Sequence, residues 1–230
     1  MSGRKALVVA NVSDADAGFV GDRLVQRGFL LRTVFRDRGG VPSTIEAAEH
    51  PDLVLLLGSE WSVHAPVDRG ALEAECDLVR LARAAQVPVL GLCYGAQVLA
   101  HALGGSVTAA PQPEIGLVEV DTSDPTLVPA GPWTAFHLDV LDPPPGATVV
   151  ARNACGTQAF VLPGALGVQF HPEVRPDVLD GWSRRYPELV LAAGLQPAEL
   201  VRQARHREED SRSAAYALVD TFLTRMSPAV

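Results

Sequence analysis

The sequence has little of what several function classes require. Three cysteines, Cys76, Cys93 and Cys155, form no CxxC pair; an odd, unpaired set fits neither a disulfide framework nor a structural zinc site, so a reducing cytoplasm is expected. Cations are outnumbered, 19 Lys and Arg against 27 Asp and Glu, with a formal net charge of −8 and Arg scattered along the chain. Binding to a phosphate backbone is driven by clustered cations that release counterions, so no nucleic-acid partner is expected. No apolar run approaches about 18 residues, which predicts no membrane span. The basic start at Arg4 and Lys5 leads only into the short stretch Ala6–Val12 with no small-residue cleavage site, so no export signal is expected. His50, His64, His101, His137 and His206 show no HxH or HxxxH spacing with carboxylates, and no metal site is expected from them. Repeats, low-complexity tracts and a Gly-rich phosphate loop bearing Lys are also lacking, and no cofactor is implied.

What is present is a βα alternation. Residues 5–12 form a short β-branched run, residues 19–29 carry apolar side chains at helical spacing, and residues 30–35 are extended again. Further continuous apolar runs lie at Leu53–Leu57 and at Val87–Leu92. Between them Leu72, Cys76, Val79 and Ala82 fall at the spacing of an amphipathic helix. Continuous apolar strands mean burial on both faces, hence a mostly parallel sheet covered by helices. After Gly104-Gly105 the texture changes to short strand-like pieces at residues 116–120, 133–137, 148–152 and 158–162, expected as an antiparallel extension. Residues 166–170 read as one more buried strand. From Pro176 onward the pattern is helical, with breaks at Pro187, Gly194 and Pro197 predicting several helices. At 230 residues one generous domain, 1–230, is expected, with 176–230 a helical extension packed on it.

The sharpest local signal is Gly91-Leu92-Cys93-Tyr94-Gly95-Ala96-Gln97, a buried strand ending in Gly-x-Cys-x-Gly before a helical stretch at residues 98–103. Small residues two before and two after a nucleophile let a strand turn sharply into a helix, which leaves the side chain in a strained conformation at the sheet edge. A helix N-terminus there favours a thiolate, and the Tyr94 N–H is placed to donate to an oxyanion. Cys76, on an amphipathic face, and Cys155, in a turn, read as structural. A thiol needs a base and something to hold the base. Gln169-Phe170-His171-Pro172-Glu173 supplies both: the strand delivers His171 to the same sheet edge, and Pro172 ends it so that Glu173 can fold back on the imidazole.

These two blocks resemble the class I glutamine amidotransferases with a Cys-His-Glu triad, in particular stand-alone domains similar to the glutaminase part of GMP synthase. Gly58-Ser59-Glu60-Trp61, Pro113-Glu114-Ile115-Gly116 and Phe136-His137-Leu138-Asp139 support the match, in the family's order, over about residues 5–175. The resemblance implies a doubly wound, flavodoxin-like α/β fold with helices on both faces of a mostly parallel sheet and a helical C-terminal section. It implies a cysteine-dependent glutaminase that hydrolyses a γ-glutamyl amide through a Cys93 thioester, with His171 moving protons and Glu173 orienting it. By the same resemblance Ser59 and Tyr94 supply the oxyanion N–H groups, and Gly58, Gln97, Phe136, His137 and Leu138 hold the substrate. Ser59 stands in a turn that is usually Gly-Gly-Pro, and a residue with a Cβ is less free than Gly to adopt φ > 0. Leu138 replaces a frequent Gly. Three roles fit: a glutaminase that passes ammonia to a separate synthetase subunit, with the helices of residues 176–210 forming a docking surface or a lid; a free-standing hydrolase or transferase of γ-glutamyl peptides; and a non-catalytic glutamine-binding regulatory subunit.

Overall fold

The computed structural model describes residues 3–226. The chain opens β1 (Arg4–Ala10), α1 (Gly18–Gln26), β2 (Phe29–Phe35), β3 (Leu53–Leu56), α2 (Arg69–Ala84), β4 (Val89–Leu92) and α3 (Tyr94–Ala102). It continues through β5 (Ser106–Val118), β6 (Asp121–Thr122), β7 (Trp133–Asp142), β8 (Thr148–Arg152), β9 (Thr157–Leu162) and β10 (Ala165–Val168), and ends in α4 (Pro176–Arg185), α5 (Pro187–Ala192), α6 (Pro197–His206) and α7 (Glu208–Met226). The central sheet has the order β2-β1-β3-β4-β10-β9-β8-β6. Strands β2 to β10 in that order run parallel, and β9, β8 and β6 add on antiparallel. This is the doubly wound α/β arrangement expected from the sequence.

The continuous apolar runs are explained by burial on both faces. Along β1, Ala6, Val8 and Ala10 enter a core with Val20 and Leu24 of α1, whereas Leu7 and Val9 enter the opposite core with Leu78 and Val79 of α2. Leu218, Val219 and Phe222 of α7 join the first of these cores, and Asp220 pairs with both Arg23 of α1 and Arg27 just beyond its end. A third cluster, with Leu179, Val190 and Leu200, ties α4–α6 to Ile115 of β5. Among the described residues no helix is long and apolar enough to cross a membrane.

Several boundaries differ from expectation, and the largest difference has a clear physical reason. Strand β5 begins ten residues before the expected start at Gly116, because Pro111 and Pro113 break the strand pattern in sequence but sit in a two-stranded ribbon with β7 outside the main sheet. The ladder shifts register between Ala109 and Glu114, so the prolines fall where no amide is required. The antiparallel extension is therefore divided: β8 and β9 continue the main sheet, and β5 and β7 form the separate ribbon. Strand β10 ends at Val168, earlier than the expected Phe170, and α3 starts at Tyr94, directly after Cys93.

Candidate active site

Cys93 sits between β4 and α3 with φ 49° and ψ −110°, a left-handed φ that a side chain adopts only when its surroundings impose it. The constraint comes from both sides. The Cys93 amide donates to Val168 O on β10 (2.8 Å), and its carbonyl accepts from the Ala96 and Gln97 amides. A Cβ on Gly95 would lie 2.2 Å from Leu56 O, and one on Gly91 would lie 2.6 Å from Gly95 O. The two flanking glycines are thus required by close backbone approach, which is the physical content of the Gly-x-Cys-x-Gly spacing.

His171, three residues beyond β10, is fixed by its amide donating to Thr134 O (2.7 Å). Its Nδ1 lies 2.7 Å from Glu173 Oε1, and both side chains are buried. Loop position is set in turn by the Phe19 amide donating to Glu173 O (3.0 Å). Burial by itself would lower the His171 pKa. The charge of Cys93 and the Glu173 carboxylate, with hydrogen bonds to each, outweigh it and hold the ring well above its ordinary value. Trp182 of α4 stands edge-on to the imidazole at 4.9 Å. On the other side of Cys93, Gln169 donates weakly to Sγ (3.6 Å) and accepts from Gln97 Nε2 (3.2 Å).

The turn after β3 takes a shape that accommodates serine. Among the described residues, positive φ outside glycine occurs at Glu49, His50, Gln86 and Cys93, so Ser59 carries no left-handed strain. Its hydroxyl donates to Asn11 Oδ1 (2.9 Å) and accepts from the Trp61 amide (3.1 Å). Behind the turn lies Arg36, fully buried. Its Nη1 donates to Asn11 Oδ1 (2.7 Å) and Gly58 O (3.0 Å), and its Nη2 donates to Val9 O and Leu57 O. Its Nε is 2.8 Å from Glu75 Oε1, with both side chains 0% exposed, and the guanidinium lies over the Tyr94 ring. Tyr94 occupies the first position of α3, where an amide has no intrahelical acceptor.

These groups face a cavity of about 410 Å³ whose wall includes Ser59, Cys93, Tyr94, Gln97, Phe136, His137, Leu138 and His171. Gly58 and Glu173 stand behind the wall. A Cβ on Gly58 would lie 2.8 Å from His171 Cε1, so this glycine leaves room for the imidazole. The side chain of His137 points away to Glu114 (2.8 Å) and Asp139 O (3.0 Å), which anchors the 136–138 segment. Trp61 also lines the cavity, as does His64, which lies 3.2 Å from Asp139.

Several wall residues were not legible in the sequence. Trp182 and Arg185 come from α4, Leu189 from α5 and Tyr186 from the junction between them, and the Tyr186 hydroxyl donates to Glu60 (2.6 Å), so the C-terminal helices roof the cavity against the Ser59 turn. A helical pattern reveals an apolar face but not the site it covers. Asp14 is a further wall residue. Burial pushes its carboxyl up to about 6; His171 and a hydrogen bond to Trp182 oppose the shift, and Glu173 and Glu60 reinforce it. A carboxyl raised on folding contributes stability that is present below its unfolded value, about 4, and lost as pH rises through about 6. Asp14→Asn is therefore expected to leave stability unchanged at acid pH. Above the folded value it is expected to raise it by about 1 kcal/mol, discounted for partial exposure. Thermal melts on either side of that window check this, and an equal difference at both ends would remove Asp14 as the cause.

A family model described as glutamine amidotransferase class-I matches residues 22–181. The glutamine-hydrolyzing GMP synthase of Aeropyrum pernix is 43% identical over 108 residues, 41% of this chain and 21% of that protein. The chain thus spans about a fifth of that relative's length. A glutamine-hydrolyzing GMP synthase subunit of Sulfurisphaera tokodaii is 34% identical over 140 residues, 57% of this chain and 72% of that protein. The crystal structure of a glutamine amidotransferase from Thermotoga maritima is similar with a TM-score of 0.84 at 25% identity, covering 97% of this chain and 99% of that one.

Proposed function

Because the chain belongs to the class I glutamine amidotransferase family, we propose that it hydrolyses a γ-glutamyl amide through a Cys93 thioester. The observation that carries this reading is the strained Cys93 elbow beside the buried His171–Glu173 pair at one end of a 410 Å³ cavity. A protonated His171 stabilises a thiolate at Cys93. The thiolate adds to the side-chain amide carbon, and the Ser59 and Tyr94 amides donate to the oxyanion that forms. His171 gives its proton to the departing nitrogen, the C–N bond breaks, and ammonia leaves a γ-glutamyl thioester. Neutral His171 then takes a proton from water, which attacks the thioester; glutamate departs and the thiolate returns. Glu173 holds the ring in one orientation through both steps. Gln97 and the 136–138 segment are assigned to the amino-acid end of the substrate.

Similarity to the Sulfurisphaera GMP synthase subunit supports a glutaminase whose ammonia passes to a separate synthetase partner. The chain is assigned to one domain with the helical section from Pro176 to Met226 packed on it as an extension; the remainder of the expected 1–230 span, residues 1–2 and 227–230, lies outside the described residues. A second reading rests on Trp182, Tyr186 and Leu189, which line the cavity and offer apolar contacts that ammonia as a leaving group does not use. On that reading the chain is a free-standing γ-glutamyl hydrolase that accepts a bulkier amine. The purified chain is expected to release equimolar ammonia and glutamate from glutamine, and to form γ-glutamyl hydroxamate when hydroxylamine intercepts the thioester. A γ-glutamyl N-alkylamide turned over faster than glutamine selects the second reading. Failure with every γ-glutamyl amide, both alone and in the presence of a synthetase partner, removes both.

A further inference from the structure

We propose that Glu114, His137 and Cys155 form a binding site for a divalent metal ion of the zinc type, beside the cavity but distinct from the Cys93–His171 pair. A carboxylate oxygen of Glu114, a ring nitrogen of His137 and Cys155 Sγ all lie within 4.8 Å of one another. They come from β5, β7 and the loop before β9, which is why no spacing motif in the sequence announces them.

His137 carries the argument. Its Nδ1 lies 3.0 Å from Asp139 O, and a carbonyl can only accept, so Nδ1 bears the proton. In the neutral ring Nε2 then holds a lone pair. That atom is buried, has no well-aligned hydrogen bond, and lies 2.8 Å from Glu114 Oε2. A lone pair facing a carboxylate oxygen at that distance is repulsive unless a cation stands between them, either a second ring proton or a metal. The surroundings are those of ligands held for a metal. An imidazole whose other nitrogen donates to a backbone carbonyl is the usual outer arrangement of a ligating histidine, and ligating carboxylates are themselves hydrogen-bonded. Here Glu114 accepts from Asn153 Nδ2 (2.6 Å) and Gln158 Nε2 (2.7 Å), and Asn153 Oδ1 accepts from the Cys155 amide (3.0 Å).

The set of one nitrogen, one oxygen and one thiolate suits zinc, with a fourth position left for water or another group. Tetrahedral coordination places neighbouring ligand atoms about 3.3 Å apart, so the Glu114–His137 contact would open by about half an ångström. Cys155 would lose its proton to solvent on binding. Metal here would clamp the β5–β7 ribbon to the 153–158 loop and so fix the 136–138 segment of the cavity wall.

Co²⁺, whose thiolate complexes absorb intensely in the near ultraviolet, is the probe. Titration is done on chelator-treated Cys93→Ala protein, which removes the active-site thiol as a competing ligand. The expected result is one Co²⁺ per chain with a thiolate charge-transfer band, displaced by Zn²⁺. The band is expected to vanish in Cys93→Ala/Cys155→Ser, and Asn153→Ala, which keeps all three ligands, is expected to weaken binding by about tenfold. No band in the Cys93→Ala protein, or a band that survives Cys155→Ser, would overturn the proposal and leave Glu114 and His137 as a buried imidazolium–carboxylate pair. Equal affinity with and without Asn153→Ala would also count against it.

Discussion

Cys93→Ala is expected to lower turnover of a γ-glutamyl amide by at least about 10⁴-fold, because removal of a covalent nucleophile leaves only substrate positioning and the oxyanion donors. The fold should tolerate the change. Alanine occupies the left-handed φ of 49° with much the same strain as cysteine, so stability should stay within about 1 kcal/mol of wild type. The groups assigned to the substrate are untouched, and glutamine should still raise the melting temperature of the variant. Retained binding with abolished turnover separates a nucleophile from a structural cysteine. Turnover at even a tenth of the wild-type rate would exclude the thioester route through Cys93 and require a different nucleophile.

Glu75→Gln should produce the largest loss of stability, about 3–5 kcal/mol, since it leaves the Arg36 guanidinium charged and without its carboxylate at a position closed to solvent. Both partners are 0% exposed. Burial pushes the Glu75 carboxyl up against the pull of Arg36, so the pair is costly to desolvate, and breaking it is costlier than its presence is favourable. The pair also supports the candidate site. Arg36 donates to Gly58 O, Leu57 O and Asn11 Oδ1, and Asn11 also accepts from the Ser59 hydroxyl. An Arg36 that shifts toward a new acceptor would release the turn carrying the proposed oxyanion amide. The fall should therefore be in kcat, by about 10²-fold, with KM little changed. Urea unfolding and steady-state kinetics on the same preparation check both. A stability loss below about 1 kcal/mol would mean the pair is hydrated in solution, and an unchanged kcat would mean the turn does not depend on it.

The contrast between these two sites marks what can be read from a sequence. The Cys93 elbow was legible because its constraint is local: Gly91 and Gly95 are required by atoms that the strand-to-helix turn itself brings close, or that the adjacent β3 carries. His171 and Glu173 were legible because two residues of separation, with a proline between, suffice to fold one onto the other. The alternation of strands and helices was visible because β1, β3 and β4 are apolar on both faces, a consequence of cores above and below the sheet. The length of β5 was not, because its prolines obey the rules of a ribbon edge that only the fold defines.

The amino-acid sequence by itself determined the fold class and the candidate nucleophile, base and orienting carboxylate, since each depends on contacts among near neighbours or on a repeating pattern of burial. Only the tertiary structure decided how the Ser59 turn is built, what roofs the cavity and where Glu114, His137 and Cys155 meet. Those groups converge from strands, loops and helices far apart in the chain, and their distances arise from packing, which no local pattern encodes.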